Sequence, residues 1–500
     1  MVMSISMNPH PLVQFLQKPA ADFTRQDILR FIEENKIEMV NFRYVAGDGR
    51  LKTLNFVVND LDYIDTILRC GERVDGSSLF KNLDAGASDL YVIPRYRTAY
   101  MNPFAERPTL DLLCSYYDKD GKPFESDPAY VMHRAAEVMR EKTGFDFYCM
   151  GELEYYVIGP EDSLFKADDQ RGYHESSPYT KFENFRKEAM LAMAACGCRI
   201  KYGHSEVGNF SMDGKNYEQN EIEFLPCPME EAADQLIIGK WILRTMAYEQ
   251  GLLVTFSPKI TVGKAGSGMH IHTAIMKNGK NQMLDANRKL SDTAKKAIAG
   301  YLDCAASLTA FGNTNPMSYF RLVPHQEAPT NICWGDRNRS ALVRVPLGWE
   351  TDKNMAVNAN PLERKLKPNY QNKQTAEFRA PDGSANVYLL IAGLCVAARH
   401  GFEMKNNLKF AKDNYVDMNI FHAENKEKAK KYLQLPVCCE DSAECLKKQR
   451  AVYEKYGVFS KGLIDGIINT LKSYNDKKLR DQVAKSPTKM LELVEKYMHC

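Results

Sequence analysis

The sequence predicts an α+β protein of more than one domain, and three observations carry that reading. Five hundred residues exceed what one typical hydrophobic core accommodates. From about residue 145 to 390, strand-like runs alternate with helical ones, the pattern of a curved, largely antiparallel sheet flanked by helices. From about Phe402 the chain turns Lys/Glu-rich and helical, which reads as solvated helical faces.

Taken in order, residues 1–20 read as a loose arm. Thr24 is followed three residues on by Asp27, so a capped helix should start there and run to about Lys36. Residues 37–45 and 51–58 read as strands, joined around Gly47-Asp48-Gly49, a hairpin signal. Short strands and loops continue to about Tyr117, and Asp118-Lys119-Asp120-Gly121 marks a turn. Ser126-Asp127-Pro128 then opens a helix with a cap followed by proline. A boundary near residue 115 divides the chain into an arm (1–20), an N-terminal domain (21–115) and a larger domain (116–500). Within the larger domain, Met229–Glu249 and residues 293–312 read as amphipathic helices. The longest apolar run, 387–398, is 12 residues long, too short to span a bilayer, and reads as a buried helix.

Composition narrows the function classes. The chain is 44% hydrophobic and 26% charged, with a net charge of +2 and a pI of about 7.8. That balance exerts no global pull toward nucleic acid or an anionic membrane, so neither is expected as a partner. Residues 1–20 lack the features of a secretion signal, and a cytoplasmic location is expected. The thirteen cysteines then read as free thiols, and Cys196/Cys198 and Cys438/Cys439 lack the second pair that a zinc site needs.

The chemistry lies in short fragments that place charged residues two apart. Gly151-Glu152-Leu153-Glu154-Tyr155-Tyr156-Val157 has strand composition, and residues two apart on a strand share a face. The same spacing recurs at Glu221/Glu223, His270/His272 and Glu377/Arg379. If Glu152, Glu154, Glu206, Glu221, His270 and Glu377 converge, the buried carboxylates require cations. Carboxylate oxygens with one imidazole suit Mg²⁺ or Mn²⁺ better than Zn²⁺. Arg321, Arg337, Arg339, Arg344 and Arg379 supply forked guanidiniums for phosphate or carboxylate. Acids for metals beside arginines for anions describe a phosphoryl-transfer site. Gly266-Ser267-Gly268 permits close backbone approach just before the histidine strand. Taken singly, each feature has an ordinary reading: a surface Glu-x-Glu pair, a hydrogen-bonded histidine, an interdomain arginine, a turn.

Together the fragments resemble glutamine synthetase over most of residues 20–470. Val74-Asp75-Gly76-Ser77-Ser78 resembles that family's aspartate loop, and Gly151-Glu152-Leu153-Glu154 its first metal strand. His204-Ser205-Glu206-Val207, Gln219-Asn220-Glu221 and Gly266-Ser267-Gly268-Met269-His270-Ile271-His272 are similar to further signatures, in order. The stretch from Arg321-Leu322-Val323-Pro324 through Glu327-Ala328-Pro329 to Arg344, and Glu377-Phe378-Arg379-Ala380-Pro381-Asp382, complete the set.

The resemblance implies a β-grasp N-terminal domain and a larger α+β domain of glutamine-synthetase type. It implies a cytoplasmic homo-oligomer, a dodecamer of two hexameric rings, with active sites between neighbouring subunits. The implied reaction ligates ammonia to the γ-carboxylate of L-glutamate, with ATP as substrate and two or more Mg²⁺ or Mn²⁺ ions per site. By similarity, Glu154, Glu206 and Glu221 would hold one ion, and Glu152, His270 and Glu377 another. Asp75 of an adjacent subunit would take a proton from ammonium, Glu327 would sit on a closing loop, and Arg339 would act in catalysis. Gly266, Arg321 and Arg379 would bind the amino-acid substrate, and His272, Arg339 and Arg344 the nucleotide.

The sequence departs from the family pattern at several points. Ala265 stands where asparagine is usual, Lys201 at a nucleotide-side acidic position, Gln326 for a common tyrosine and Ala274 for a serine; residues 208–217 form a longer insert. Ala265 and the insert leave open a γ-glutamyl-amide ligase that uses another amine; a non-catalytic member of the fold is the third reading. Phe421 occupies the position of a tyrosine that some relatives adenylylate, so no such modification is expected there.

Overall fold

The computed structural model describes residues 5, 7–81, 83, 86, 88–323, 328–348, 353–364 and 373–500. Its N-terminal part is a β-grasp domain built on β1 (Met39–Val45), β2 (Leu51–Val57), β3 (Glu72–Asp75), β4 (Asp89–Pro94), β5 (Tyr100–Met101) and β6 (Thr109–Tyr117). The sheet order is β2-β1-β6-β4-β3, with β5 also on β6. β1 and β2 form the predicted antiparallel hairpin, whose turn uses Gly49 at positive φ, and β1 runs parallel to β6. The helix Arg25–Glu34 starts at Thr24 with a complete capping box to Asp27. Its buried face (Ile28, Phe31, Ile32) and that of Leu61–Cys70 (Ile64, Ile67, Leu68) close over Val40, Phe42, Leu110 and Leu112.

The segment read as a loose arm differs. Pro11–Leu16 is a short helix, and Leu12 and Val13 are buried in the same core. His10 caps it, accepting a hydrogen bond from the Leu12 N–H at 3.2 Å. One buried apolar pair is too little to show as a period in the sequence.

The larger domain carries β7 (Asp146–Pro160), β8 (Ile200–Met212), β9 (Lys215–Phe224), β10 (Cys227–Pro228), β11 (Leu253–Thr255), β12 (Met269–Lys277), β13 (Lys280–Asn281), β14 (Trp334–Asp336), β15 (Val343–Val345) and β16 (Ala376–Phe378). They form one sheet in the order β14-β15-β16-β12-β7-β9-β8, with β10 and β11 on β7 and β13 on β12. Every pairing is antiparallel except β14 with β15. The long β7 changes partner along its length: β12 gives way to β11 on one side, and β10 to β9 on the other. The sequence read 208–217 as an insert; these residues form the tip of the β8–β9 hairpin, which turns at Asp213-Gly214, both at positive φ.

Helices cover the other face of this sheet. Leu153 and Tyr155 belong to the core, and Leu236 lies against Gly151 so closely that a Cβ there would stand 2.8 Å from it. Met229–Glu249 and Asp292–Gly312, predicted as amphipathic, are buried on most sides because Val387–Glu403 packs against both. Gly300 and Gly401 let two of these helices touch backbone to backbone: a Cβ on either would overlap the opposite main chain. Val387–Glu403 is the predicted buried helix. No single helix among the described residues is long and apolar enough to cross a membrane. The C-terminal helices are more than solvated faces, since Cys439, Ala443, Leu446, Tyr453 and Ile464 join the main core. All thirteen cysteines are free.

Candidate active site

Strand register assembles the site. Glu154 of β7 pairs with Glu221 of β9, and Glu221 pairs with His204 of β8. One step along, Glu152 faces Glu223 on one side and His270 on the other. His272 faces Glu377 of β16, which faces Arg344 of β15. Directly opposed residues share a face, and period two keeps Glu152 with Glu154 and His270 with His272. Fragments scattered over more than two hundred residues therefore line one cavity of about 1310 Å³.

Glu152, Glu154, Glu206, Glu221, His270 and Glu377 all line it, together with Gly266, His272, Arg321, Arg339, Arg344 and Arg379. Asp75 does not line this cavity: it lies in the other domain, and its carboxylate is fully exposed. Glu327 lies outside the described residues. Arg337 lies beside Asp417 in a separate surface pocket.

The six predicted ligands fall into two groups. Around the first, Glu152 accepts from His270 Nδ1 at 2.8 Å and from His272 Nε2 at 2.7 Å. Glu377 accepts from Arg379 Nε at 2.9 Å and Arg344 Nη1 at 3.0 Å. Ligand atoms of Glu152, His270 and Glu377 all lie within 4.8 Å of one another. Burial opposes ionisation of both carboxyls, yet His272 and His270 hold Glu152 well below its ordinary range, and Arg379 with the same histidines lowers Glu377.

In the second group burial and like charge outweigh the basic neighbours. His204, Glu206 and Glu221 also have ligand atoms within 4.8 Å of one another, and His204 Nε2 is 3.3 Å from Glu221. Burial and then neighbouring carboxylates push Glu206 up to about 8 and Glu221 well above its ordinary value. Glu154 completes this end and is fixed by the Gly268 N–H at 2.6 Å. Crowded, buried oxygen donors with raised proton affinity are what a hard divalent cation would satisfy, so the residues fit such an ion.

The glycine segment and the arginines are locked by close packing. A Cβ on Gly268 would collide with the Arg321 guanidinium. Arg321 donates to the carbonyls of Ala380 at 2.8 Å and Pro381 at 3.2 Å, and Gln219 Nε2 donates to Gly266 at 2.9 Å. Ala265 is buried, its carbonyl accepting from the Tyr156 hydroxyl at 2.8 Å. Both nitrogens of His272 are engaged, one with Glu152 and the other with Thr375 Oγ1 at 2.8 Å.

Sequence reasoning gave no role to His204 or Glu223. Glu223 has the same spacing as the assigned pairs, but nothing in one sequence shows that it would face Glu152. Asp213-Gly214 is a hairpin signal that could have pointed to the β8–β9 pairing that brings in His204.

Comparison with known proteins agrees with this fold. Residues 36–119 match the family model "Glutamine synthetase, beta-Grasp domain", and residues 125–490 match "Glutamine synthetase, catalytic domain". A glutamine synthetase of Thermus thermophilus is 34% identical over 447 residues, covering 87% of this chain and 92% of the relative. A 3-hydroxylaminophenol mutase of Cupriavidus pinatubonensis is 28% identical over 485 residues, covering 88% and 93%. In three dimensions the Plasmodium falciparum glutamine synthetase superposes with a TM-score of 0.75 at 20% identity, covering 92% of this chain and 97% of that one, a likeness of fold. By sequence and by domain content, this chain belongs to the glutamine synthetase family.

Proposed function

We propose that this protein is a glutamate–ammonia ligase, joining ammonia to the γ-carboxylate of L-glutamate through a γ-glutamyl phosphate at the expense of ATP. The observation that carries the reading is that one cavity is lined both by a cluster of carboxylates and by several arginines. The carboxylates call for divalent cations, and the arginines suit a phosphoryl group and a carboxylate.

The γ-carboxylate is a poor electrophile because its leaving group would be oxide. Transfer of the γ-phosphoryl group turns that oxygen into part of a phosphate, which departs when ammonia attacks. Arg339 and Arg344 would face the phosphates, while Arg321, Arg379 and the Gly266 backbone would hold the amino-acid substrate. Glu154, Glu206 and Glu221, with His204 beside them, would hold one Mg²⁺ or Mn²⁺, and Glu152, His270 and Glu377 a second. When bound, such ions supply positive charge that stabilises the transferring phosphoryl group.

Asp75 would collect the proton released from ammonium. Hydroxyls of Ser78, Ser77 and Ser88 hold its carboxyl below the usual range, so it carries at neutral pH the negative charge that would attract the ammonium cation. Its place outside the cavity of its own chain supports a homo-oligomer in which a neighbour offers it, as in the expected dodecamer of two hexameric rings. Glu327 would act on the loop that closes over the acyl phosphate.

A second reading keeps the chemistry and changes the nucleophile to a larger amine. Ala265, which leaves only a methyl group at the cavity wall, favours it. One assay separates the two: glutamate-dependent ATP turnover with ammonium, then with ethanolamine and polyamines. Saturation by ammonium with glutamine as product is expected. Turnover with a larger amine and none with ammonium would transfer the assignment to the second reading, and no turnover with either would reject both.

A further inference from the structure

Beside the two predicted ion groups, the cavity holds a third cluster. Ligand atoms of Glu152, Glu221 and Glu223 lie within 4.8 Å of one another, and all three side chains are largely buried. This cluster contains a lysine ammonium, a compact cation that the other two groups do not have. Lys201 Nζ forms an ion pair with Glu223 Oε2, and the Tyr202 hydroxyl donates to Glu223 Oε1 at 2.6 Å. The lysine is held over the Tyr202 ring, 4.8 Å from its centroid. Register explains the arrangement: Glu223 faces Tyr202 on β8 and Glu152 on β7, so one carboxylate joins the lysine strand to the predicted metal strands.

We infer that the Lys201 ammonium is a built-in third cation of this site, which engages Glu223 and limits the cavity to two divalent ions. The inference rests on the two-ion reading proposed above. Glu223 adds a buried negative charge next to Glu152 and Glu221, and a buried carboxylate needs a cation partner. Lysine is a compact point charge on a flexible stem, able to sit where an ion would but unable to bridge several carboxylates as a divalent ion does. Lys201 is thus a positioning residue: it frees Glu152 and Glu221 to serve the two ions on either side.

The test counts ions rather than turnover. Binding of Mn²⁺ to the full-length protein is titrated by the electron paramagnetic resonance signal of the free ion. Two Mn²⁺ per chain are expected for the wild type and for Lys201→Arg, three for Lys201→Met, and two again for Lys201→Met combined with Glu223→Gln. Far-ultraviolet circular dichroism checks that each variant is folded, and Lys201→Gln serves if the methionine variant is not. An unchanged count on removal of the lysine charge, or three ions in the wild type, overturns the inference. Fewer than two ions in the wild type would instead count against the two-ion reading, while the difference between variant and wild type still reports on Lys201.

Discussion

His270 and Glu152 are direct partners on adjacent antiparallel strands, with the imidazole Nδ1 2.8 Å from the carboxylate. The other oxygen of Glu152 is held by His272, whose remaining nitrogen is anchored on Thr375. In the proposed site His270 is an ion ligand, whereas His272 orients a ligand. Partners of this orienting kind typically contribute about 10–100-fold to metal affinity. His272→Ala should therefore weaken one of the two Mn²⁺ sites by about that factor and leave the other unchanged. His270→Ala should lose the same site more completely. A Mn²⁺ titration with unaltered affinities in both variants would remove the Glu152 group from the ligand set.

Metal binding should also release protons. Glu206 is pushed up to about 8 by burial and by Glu154, so without an ion it is largely protonated at pH 7; burial and the neighbouring carboxylates raise Glu221 as well. An ion binds the carboxylate forms and must displace those protons, so affinity should rise as pH increases from 6 toward 8. Calorimetry of Mn²⁺ binding at pH 7, in buffers of different ionisation heat, should report a release of roughly one proton or more per chain. Glu206→Gln should diminish it. Binding with no proton exchange would show that these carboxyls are ionised before the ion arrives.

The parts of this protein legible in its sequence were those with a short period. Glu152 and Glu154 lie on one strand face, as residues two apart on a strand must. Thr24 with Asp27 and Asp127 with Pro128 marked helix starts that the structure has. Register was not legible. Nothing local states that Glu152 faces Glu223 or that Glu377 faces Arg344, because those partners are fixed by which strands become neighbours. Burial of Met229–Glu249 was also hidden: Asp234, Gln235 and Lys240 made it look two-faced, yet all three are buried. Asp234 is paired with Arg95 at 2.8 Å and with the Tyr388 hydroxyl at 2.7 Å, contacts across 139 and 154 residues of chain.

Asp75 gives a test that divides the reaction in two. Its ionised carboxylate would matter only for the attack by ammonia, not for phosphoryl transfer. Asp75→Asn keeps the size of the side chain but removes the base, and general-base loss typically costs about 10²–10⁴-fold. Single-turnover measurements should show ADP forming at close to the wild-type rate with glutamate present, and glutamine appearing slower by about that factor. Equal slowing of both products would mean that Asp75 supports the fold or the assembly instead.

His10 makes the N-terminal segment sensitive to acid. Its ring is buried; Nδ1 accepts from the Leu12 N–H, and the other nitrogen bonds the Ala99 backbone. Desolvation by burial lowers its pKa to about 4 from the usual 6.5. Nδ1 can accept only while neutral, so protonation both buries a charge and breaks the cap. The folded form thus binds its proton more weakly than the unfolded form. The stability this gives is present above about pH 6.5 and is lost as pH falls toward 4, by about 2 kcal/mol between pH 7 and pH 5. Hydrogen exchange of the amides in Pro11–Leu16, corrected for intrinsic rate, should accelerate over that interval by roughly thirtyfold. His10→Asn keeps a capping acceptor without a titrating ring, so its exchange should be less protected at pH 7 but nearly flat with pH. Identical pH profiles for the two proteins would show that another group controls how this segment docks.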